Sequence, residues 1–374
     1  MSLAVIAPQI GALSETFIRR HMEDLLPGDT VVITSSDSPP YSGHWNVECP
    51  KLIFNRFNLI EQGFGKVAKT FFPGYPRFGL PVKRFLREHN VNVILGEYLS
   101  YPVCWLPLAQ KLGIPFFAHA HGMDVSTLLR QNKWQIEYMR YNQADAIITV
   151  NQVQRHRLIK LGLKPEKIHV IPCGVTVPFQ PFIRNNQREI VRCIAVGRMV
   201  AKKAPLLMLD AFRQATEVYP DLHLDYIGTG PFFKSVQKLI RGWNLEQKVT
   251  LHGGQPNQLV LQLMKEADIF IQHSMTDPKS GDEEGLPVGI LEAMAYSLPV
   301  VSTYHTGIPE AVKHGETGLL VEEGNSKKMA EYLITLAHDA HLRTQMGKAG
   351  WQRAQQHFSW EVEAEQLRHV MGLK

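Results

Sequence analysis

The chain has 374 residues, of which 44% are hydrophobic and 20% are charged, and its formal net charge is +5. This length exceeds what a single hydrophobic core usually supports, so two domains are expected. The composition is that of an ordinary soluble enzyme. No apolar run reaches the roughly 18 residues that a membrane-spanning helix needs, which excludes such a helix.

The beginning of the chain and its cysteines indicate a cytoplasmic protein. Residues 1–10 lack the basic start and the long apolar run of a signal peptide, and they predict a first β-strand instead. The sequence has four cysteines, namely Cys49, Cys104, Cys173 and Cys193. Their spacing matches neither a zinc site nor a disulfide framework, which fits a reducing compartment.

A basic and aromatic segment, residues 51–89, stands out in the first half of the chain. It contains eight Lys and Arg residues against only Glu61 and Glu88, with eight Phe and Tyr residues interleaved. Such a segment can lie on an anionic membrane surface, with its rings in the interface and its cations near lipid phosphates. The alternative is a pair of core helices with a solvated basic face. Nucleic acid is not expected as a partner, because no DNA- or RNA-binding motif accompanies the charge.

Short apolar strands alternate with amphipathic helices, which is typical of parallel α/β sheets. The predicted strands of the first half are 3–7, 30–34, 93–95, 116–118, 146–150 and 168–171. Those of the second half are 191–196, 222–227, 248–252, 269–272, 299–302 and 318–321. Each set suffices for one doubly wound domain. The linker between them is predicted near 172–190, where Pro178, Pro181 and the polar run 184–189 lie. A last helix is expected near the C-terminus, with Ser359 as its N-cap.

Two carboxylates surround a predicted helix start in the last third of the chain. Pro287 suits the first position of a helix, because its missing N–H costs nothing there. Glu284 then lies in the loop before the helix, and Glu292 lies about one and a half turns into it. Both side chains are expected to face the same mouth, where the free amides of Leu286 and Val288 can bind a phosphate. The alternative is an exposed acidic loop before an amphipathic helix.

Residues 284–310 resemble the signature of retaining glycosyltransferases of family 4, in which a Glu-x7-Glu motif precedes a short buried strand and a Gly-Ile-Pro-Glu turn. The resemblance implies the GT-B fold, an α/β architecture of two doubly wound, Rossmann-like domains that face a cleft. It implies an acceptor-side domain at 1–178, completed by a C-terminal helix at about 358–374 that crosses back. The nucleotide-sugar donor is then bound by a second domain at 179–357.

The same resemblance assigns contacts with the donor. It gives Glu284 the donor sugar and Glu292 the ribose of the nucleotide. Gly307, in the Gly-Ile-Pro-Glu turn, is expected close to the donor. Gly230 belongs to a Gly-x-Gly-Pro turn that resembles the one family members carry near the nucleotide. This turn lacks the third glycine of a dinucleotide-binding loop, so nicotinamide binding is not expected.

Two cations follow the predicted strand 191–196. A strand end in an α/β sheet is where ligands bind, and Arg198 and Lys203 would flank that crevice. Arg holds phosphate oxygens with a planar fork and Lys adds a compact charge, so the pair can stabilise a departing nucleoside diphosphate. The alternative is a surface loop with ordinary cations. The segment resembles the diphosphate clamp of family 4, whose spacing favours Lys203 over Lys202.

Two histidines follow the predicted strand 116–118. His119 and His121 can be metal ligands, but no third or fourth ligand is spaced to complete a site, so no metal is predicted. The His-Gly-x-Asp pattern resembles the first-domain catalytic loop of family 4, which places His121 beside the donor sugar at the reaction centre. Asp124 is expected to anchor the loop, and His119 is expected only to pack.

The loop after the first predicted strand contains Gly11, which allows a ligand to approach the backbone closely. Family members often have two adjacent glycines there, whereas this chain has Ala12 at the second position. The run Ser-Glu-Thr-Phe resembles a subgroup that builds extracellular polysaccharides. Within that subgroup, Ser14 and Glu15 are candidates for contacts with the acceptor.

Together these features predict a hexosyltransferase that moves a sugar from a UDP- or GDP-sugar to an acceptor hydroxyl on a glycan or a lipid-linked glycan. No Asp-x-Asp pair follows an early strand, so neither a metal nor another cofactor is expected. The resemblance implies retention at the anomeric carbon, for which we favour front-face attack. The alternatives are a small-molecule acceptor, a GT-B epimerase, a phosphorylase and a non-catalytic binding subunit.

Overall fold

The structure is a computed structural model that describes residues 1–12, 15–37, 45–56, 78–184 and 189–373. The chain folds as two compact units. Unit 1 comprises Met1–Ile171 and Ala364–Lys374, and unit 2 comprises Pro172–Glu363. Both units are α/β structures, as the alternating pattern predicts.

Unit 1 is built on a parallel sheet. Its strands are β1 (Leu3–Gln9), β2 (Thr30–Ser36), β3 (Lys51–Ile53), β4 (Val93–Glu97), β5 (Phe116–His119), β6 (Ala146–Thr149) and β7 (Ile168–Val170). Its helices are α1 (Thr16–Glu23), α2 (Gly79–Glu88), α3 (Leu106–Leu112), α4 (Asn132–Tyr138) and α5 (Gln152–Leu161). The order β3-β2-β1-β4-β5-β6-β7 reverses between β1 and β4. Ligands bind at the carboxyl ends of the strands at such a switch point.

Unit 2 repeats this plan. Its strands are β8 (Val191–Val196), β9 (Leu222–Ile227), β10 (Val249–Gly253), β11 (Ile269–Ile271), β12 (Val300–Thr303) and β13 (Gly318–Val321). Its helices are α6 (Pro205–Val218), α7 (Phe233–Gly242), α8 (Asn257–Glu266), α9 (Val288–Ala295), α10 (Ile308–Ala311), α11 (Ser326–His338) and α12 (Ala340–His357). The order β10-β9-β8-β11-β12-β13 reverses between β8 and β11.

The last helix, α13 (Trp360–Met371), begins in unit 2 and ends in unit 1. The hydroxyl of Ser359 accepts a hydrogen bond from the N–H of Val362 at 3.4 Å, so Ser359 caps the helix as predicted. Residues 172–178 belong to unit 2, where Val175 pairs with Ser359 and the N–H of Gly174 donates to Glu363 at 2.7 Å.

The structure confirms each predicted strand, with ends that differ by no more than two residues. Residues 3–7 and 269–271 are completely buried. They form continuous apolar runs because strands that helices cover on both faces are apolar along their whole length. The pattern missed β3, an edge strand of three residues inside the basic aromatic segment. Arg184, predicted in the linker, instead donates to the carbonyls of Ser297 and Tyr296 in unit 2 at 2.8 and 2.7 Å.

Of the basic aromatic segment, the structure describes residues 51–56 and 78–89. Phe54 is buried and stacks on Phe78, with the ring centroids 4.8 Å apart. Phe85 packs against the same hydrophobic core. These rings therefore pack in the interior of unit 1, as the alternative to membrane contact predicts. Residues 57–77 lie outside the described residues.

Among the helices formed by the described parts of the chain, none combines the length and the hydropathy that crossing a bilayer requires.

Candidate active site

The acidic motif of unit 2 lies in the loop between β11 and α9. The helix begins at Val288, one residue later than predicted, because Pro287 has an extended ψ of 112° and precedes the first turn. Leu286 therefore belongs to the loop, and Glu292 is the fifth residue of the helix. The amide of Val288 still lies at the positive end of the helix dipole.

Glu284 is buried in a cluster of cations. Its side chain is 11% exposed, and its Oε2 lies 3.1 Å from Nζ of Lys203. Nζ of Lys202 lies 3.8 Å from Oε1 of Glu284 and 3.1 Å from Oδ2 of Asp282. The same ammonium group donates to the carbonyl of Glu283 at 3.0 Å. Lys202 therefore holds the loop in place, while Lys203 pairs with Glu284 itself.

The charges of this cluster depend on one another. Burial raises the pKa of the Glu284 carboxyl, but Lys203, Lys202 and Arg198 lower it more strongly, to about 2. Burial lowers the pKa of Lys203, and Lys202 and Arg198 act in the same direction, while Glu284 opposes them. Glu284 is thus ionised at neutral pH. Removing Lys203 would leave this charge with only the more distant Lys202 as an ion-pair partner, which is destabilising.

The loop that carries Arg198 packs on a glycine turn. Gly228 and Gly230 have φ values of +145° and +149°, a region that favours glycine. A Cβ on Gly228 would lie 1.9 Å from the carbonyl oxygen of Gly197, and one on Gly230 would lie 2.6 Å from that of Met199. The two glycines therefore let the turn contact the Arg198 loop directly. This is a packing reason for Gly230, which the resemblance assigns to the donor.

Arg198 and Lys203 line one small cavity at the carboxyl ends of β8 and β11, together with Gln272 and His273. Nε2 of His273 accepts a hydrogen bond from the N–H of Gly324 at 3.1 Å, so the proton of this ring is on Nδ1. Burial lowers the pKa of His273 to about 4, which keeps the ring neutral. The cavity therefore combines permanent cations with neutral polar groups.

The loop after β12 positions the backbone of Glu284. The N–H of Glu284 donates to Nε2 of His305 at 3.2 Å, and Nδ1 of the same ring donates to Glu323 at 2.5 Å. Thr306, whose φ is +41°, donates from its hydroxyl to the carbonyl of Glu284 at 2.9 Å. Sequence reasoning missed this role of His305, because nothing in the local pattern relates it to Glu284.

Two further predicted donor contacts lie beside this loop. Gly307 donates its N–H to the carbonyl of Gly285 at 3.3 Å, so it touches the acidic motif. Glu292 is half-buried and accepts a hydrogen bond from Nδ2 of Asn257 at 2.8 Å. Unit 2 thus brings together Glu284, Lys203 and Gly307, with Glu292 on the helix that follows.

Unit 1 contains a second buried carboxylate, Glu97, at the end of β4. Its Oε1 lies 2.7 Å from Nδ1 of His21, and its Oε2 lies 2.7 Å from Nε2 of His121 and 3.7 Å from Nδ1 of His119. Burial raises the pKa of this carboxyl, but the three histidines lower it more, so it stays well below its usual range. The local pattern did not predict this cluster, because its members come from three separate elements.

The cluster corrects the expectation that no third potential metal ligand lies near the two histidines. His119 does have a third potential ligand nearby, since donor atoms of His21, Glu97 and His119 all lie within 4.8 Å of one another. Burial lowers the pKa of His119 well below its usual range, so its ring is neutral. The sequence missed this grouping because spacing along one strand says nothing about neighbouring strands. The absence of a metal stays a prediction.

Asp124 anchors the His-Gly-x-Asp loop, as predicted. Its carboxylate accepts hydrogen bonds from the N–H groups of His121 at 3.1 Å and Leu99 at 3.0 Å. The side-chain amide of Gln154 donates to the carbonyl of His121. Both peptide groups of His121 are therefore held, and the ring projects from a fixed backbone.

The loop after β1 is described except for residues 13 and 14. Gly11 has a φ of +95°, which favours glycine. Glu15 accepts a hydrogen bond from the hydroxyl of Tyr98 at 2.8 Å, and the Tyr98 ring packs on His121 with centroids 4.7 Å apart. Glu15 is thus linked to the histidine loop, whereas Ser14 lies outside the described residues.

Known protein families match both units. Residues 28–177 match the family model described as Glycosyltransferase Family 4, and residues 179–353 match the model described as Glycosyl transferases group 1. The N-acetyl-alpha-D-glucosaminyl L-malate synthase of Bacillus anthracis is 32% identical over 315 residues, which cover 79% of each chain. The chain belongs to glycosyltransferase family 4.

A further relative and a solved structure match this family 4 chain to different extents. The amylovoran biosynthesis glycosyltransferase of Erwinia amylovora is 29% identical over 253 residues, which cover 67% of this chain but only 62% of the relative. Among solved structures, Anabaena HepE in complex with UDP-glucose has a TM-score of 0.79 at 17% identity, with 100% of both chains covered. That likeness shows the fold, which is GT-B.

Proposed function

We propose that the protein is a retaining glycosyltransferase that moves one sugar from a nucleoside diphosphate sugar to an acceptor hydroxyl. The observation that carries this proposal is the ionised carboxylate of Glu284, buried against Lys203, whose cavity also includes Arg198. Carboxylates accept hydrogen bonds from sugar hydroxyls, and fixed cations hold a diphosphate. A nucleotide sugar needs both kinds of group, and family membership makes glycosyl transfer the expected reaction.

The diphosphate is assigned to the cations at the end of β8. Arg198 is exposed and offers a planar fork of donors. Lys203 has three N–H donors, so it can hold Glu284 and a phosphate oxygen at the same time. Negative charge grows on the phosphate as the bond from the anomeric carbon breaks. Both cations then stabilise the transition state more than the bound donor, which is what accelerates the reaction.

The remaining donor contacts follow the resemblance. Glu284 holds hydroxyls of the transferred sugar, and Glu292 holds the ribose. His121 contacts the same sugar beside the reaction centre. Backbone contacts with the donor are assigned to Gly11, Gly230, Leu286, Val288 and Gly307.

We favour front-face attack for the chemical step. The bond between the anomeric carbon and the phosphate oxygen breaks, and the acceptor oxygen bonds to the same face of that carbon. The acceptor proton passes to the departing phosphate oxygen, so no separate base is required. Glu284 is not assigned as a nucleophile, because it is proposed to hold hydroxyls of the transferred sugar.

No metal is proposed to assist. Arg198 and Lys203 supply the positive charge with which a divalent cation would otherwise stabilise the leaving group. Activity is expected to survive exhaustive chelation with EDTA. Loss of activity that magnesium or manganese restores would contradict this part of the proposal.

The acceptor is proposed to be a glycan, either free or lipid-linked. The support comes from the Ser-Glu-Thr-Phe run and from the name of the amylovoran relative. A small-molecule acceptor is the second candidate, because the malate synthase relative matches a larger share of its own length. Labelled donor offered separately to lipid-linked glycans and to small hydroxy acids separates the two. Donor that changes its sugar without releasing nucleoside diphosphate would favour an epimerase instead.

A thermal-shift screen of nucleotide sugars tests donor binding directly. Stabilisation grows with the logarithm of ligand concentration over dissociation constant, and it reaches roughly 2.7 kcal/mol at a hundredfold excess over that constant. One UDP- or GDP-sugar should raise the Tm of the wild type, and the same ligand should raise that of Arg198→Ala much less. Equal shifts in both proteins would remove Arg198 from the donor site, and no shift with any nucleotide sugar would contradict the proposed function.

A further inference from the structure

The buried carboxylate of unit 1 has a fixed hydrogen-bonding role. Glu97 is 0% exposed, and its two oxygens lie 2.7 Å from Nδ1 of His21 and 2.7 Å from Nε2 of His121. Because the histidines keep its pKa below the usual range against the effect of burial, the carboxylate is ionised. An ionised carboxylate only accepts hydrogen bonds. The imidazole nitrogens that face it must therefore carry protons.

Three aromatic side chains also pack against the ring of His121. Its centroid lies 4.6 Å from that of Phe17, 4.7 Å from that of Tyr98 and 4.4 Å from that of His119. Tyr98, the residue after Glu97, has a φ of +62°. This conformation is unfavourable for a non-glycine residue and persists only where the surroundings enforce it. The site therefore maintains strain to keep the Tyr98 ring against His121.

One nitrogen of His121 remains for a ligand. Nε2 is committed to Glu97, and the backbone N–H and carbonyl are committed to Asp124 and Gln154. Within the part of the chain that the structure describes, Nδ1 of His121 has no hydrogen-bond partner. When Nε2 carries the single ring proton, Nδ1 presents a lone pair that can accept a hydrogen bond from a hydroxyl.

We propose that Glu97 is a positioning residue for sugar transfer, which fixes a proton on Nε2 of His121 and so presents Nδ1 to a hydroxyl of the transferred sugar. This inference rests on the proposed function, because it gives His121 a sugar to hold. The role needs an acceptor-only group between two donor histidines. Glutamine would not serve, since its amide offers an acceptor on one side and a donor on the other.

A metal ion is a poorer explanation of the same cluster. Tetrahedral zinc ligands at about 2.0–2.1 Å from the ion lie roughly 3.3 Å from one another. Nδ1 of His21 and Oε1 of Glu97 are 2.7 Å apart, which is a hydrogen-bond distance and shorter than this separation. The geometry therefore favours proton placement.

A double-mutant cycle tests whether Glu97 acts through His121. Glu97→Gln should lower kcat by about 10–100-fold, the range found for partners that orient metal-bound imidazoles, with little change in donor KM. In a His121→Asn background, Glu97→Gln should have almost no further effect on kcat. Fully additive losses would overturn the proposal and make Glu97 merely structural.

A matched control uses another buried carboxylate. Glu363 is 1% exposed and accepts a hydrogen bond from the N–H of Gly174 at 2.7 Å. Glu363→Gln makes the same chemical change away from the histidines, so kcat should stay close to that of the wild type. An equal loss of kcat in Glu363→Gln and Glu97→Gln would overturn the proposal, because it would show a general cost of removing a buried charge.

A second measurement does not depend on activity or on a folded variant. Nitrogen-15 NMR of wild-type protein labelled at histidine reports which ring nitrogens carry protons. His121 should carry a proton on Nε2 in mildly alkaline buffer, where a free imidazole with a pKa of about 6.5 would exchange between tautomers. A bare Nε2 on His121, or one bound zinc per chain in the purified protein, would overturn the proposal. Failure of sugar transfer alone would instead count against the proposed function.

Discussion

Glu97 in unit 1 and Glu284 in unit 2 both lie among basic groups, yet the two clusters are built from different chemistry. In unit 1, Glu97 contacts the imidazoles of His21 and His121, and each contact is one directed hydrogen bond of 2.7 Å. In unit 2, Glu284 contacts the ammonium groups of Lys203 and Lys202 at 3.1 and 3.8 Å. Imidazoles change charge near neutral pH, whereas ammonium groups remain charged.

The difference matches what each proposed ligand group requires. A diphosphate carries charge, so its site needs cations that persist at working pH and whose exact direction matters less. A sugar hydroxyl is neutral, so its partner needs one correctly placed lone pair. Under the proposed function, unit 2 therefore supplies charge and unit 1 supplies orientation.

Removing charge from unit 2 should give the largest effect. Arg198→Ala should lower kcat by about 10²–10³-fold, because the guanidinium stabilises the negative charge that grows on the phosphate as the bond to the sugar breaks. The free energy of unfolding should change little, since this side chain is exposed. Steady-state kinetics and urea unfolding measure the two quantities.

Lys203→Ala serves as the contrasting variant. It should lose kcat to a similar degree and also lose up to about 3–5 kcal/mol of stability, because Glu284 loses its nearest ion-pair partner and keeps only the more distant Lys202. Normal turnover in Arg198→Ala would mean that the charge in unit 2 is structural, and the comparison between the units would fail.

The glycine turn under Arg198 provides the next test. Gly228→Ala should destabilise the protein by about 1–3 kcal/mol or more, since φ is +145° and the new Cβ would lie 1.9 Å from the carbonyl oxygen of Gly197. It should also lower kcat by displacing Arg198.

Gly242→Ala is the matched control, because nothing lies within 4 Å of its Cβ position. In helix α7 that change should stabilise by about 0.5–1 kcal/mol. Equal changes in stability in Gly228→Ala and Gly242→Ala would contradict direct packing of the glycine turn on the Arg198 loop.

Two glutamine variants in unit 2 distinguish the roles proposed for Glu284 and Glu292. Glu284→Gln should lower kcat more than it raises donor KM, because Glu284 holds the sugar whose geometry changes during transfer. Glu292→Gln should mainly raise donor KM, since the ribose does not change. Each change should be about tenfold, the equivalent of one hydrogen bond at roughly 1.4 kcal/mol. If Glu292→Gln lowered kcat and Glu284→Gln only raised donor KM, the sugar and ribose contacts would have to be exchanged between the two residues.

The pH dependence of stability should differ between the clusters. The pKa of His119 lies well below its ordinary value of 6.5, so the unfolded chain takes up this proton first and stability falls as the pH drops below 6.5. The pKa of Glu284 is lowered from 4.5 to about 2, so its contribution is complete above 4.5 and disappears only between 4.5 and 2.

Urea unfolding between pH 6.5 and 5 measures this contrast. His119→Gln should flatten the decline in the free energy of unfolding by up to about 1.4 kcal/mol per pH unit. Glu284→Gln should leave the slope parallel to that of the wild type. A parallel slope in His119→Gln would show that the unit 1 cluster does not resist protonation.

The strands were predictable from the sequence because parallel strands covered on both faces read as short apolar runs. The exception, β3, is too short to give such a run and lies among basic and aromatic residues. The motif around Glu284 and the pair Arg198 and Lys203 were predictable because each lies on a continuous segment. The one-residue shift of helix α9 reflects a proline that ends the loop and does not begin the turn.

The histidine cluster was not predictable from spacing. Its members come from α1, β4 and the end of β5 with the loop that follows, and the neighbouring order β1-β4-β5 brings them together. One signal was available, since Glu97 is a carboxylate at the end of an otherwise apolar strand. Such a residue at a switch point is either costly or functional.

The most direct test of glycosyl transfer with retention follows the anomeric carbon itself. Wild-type protein would be given the α-linked nucleotide sugar selected by the thermal-shift screen, together with the acceptor class that takes up label. Proton NMR would follow the first turnovers. We predict an α-linked product and one nucleoside diphosphate released for each sugar transferred. A β-linked product would contradict retention, and donor consumption without a new glycosidic bond would contradict glycosyl transfer.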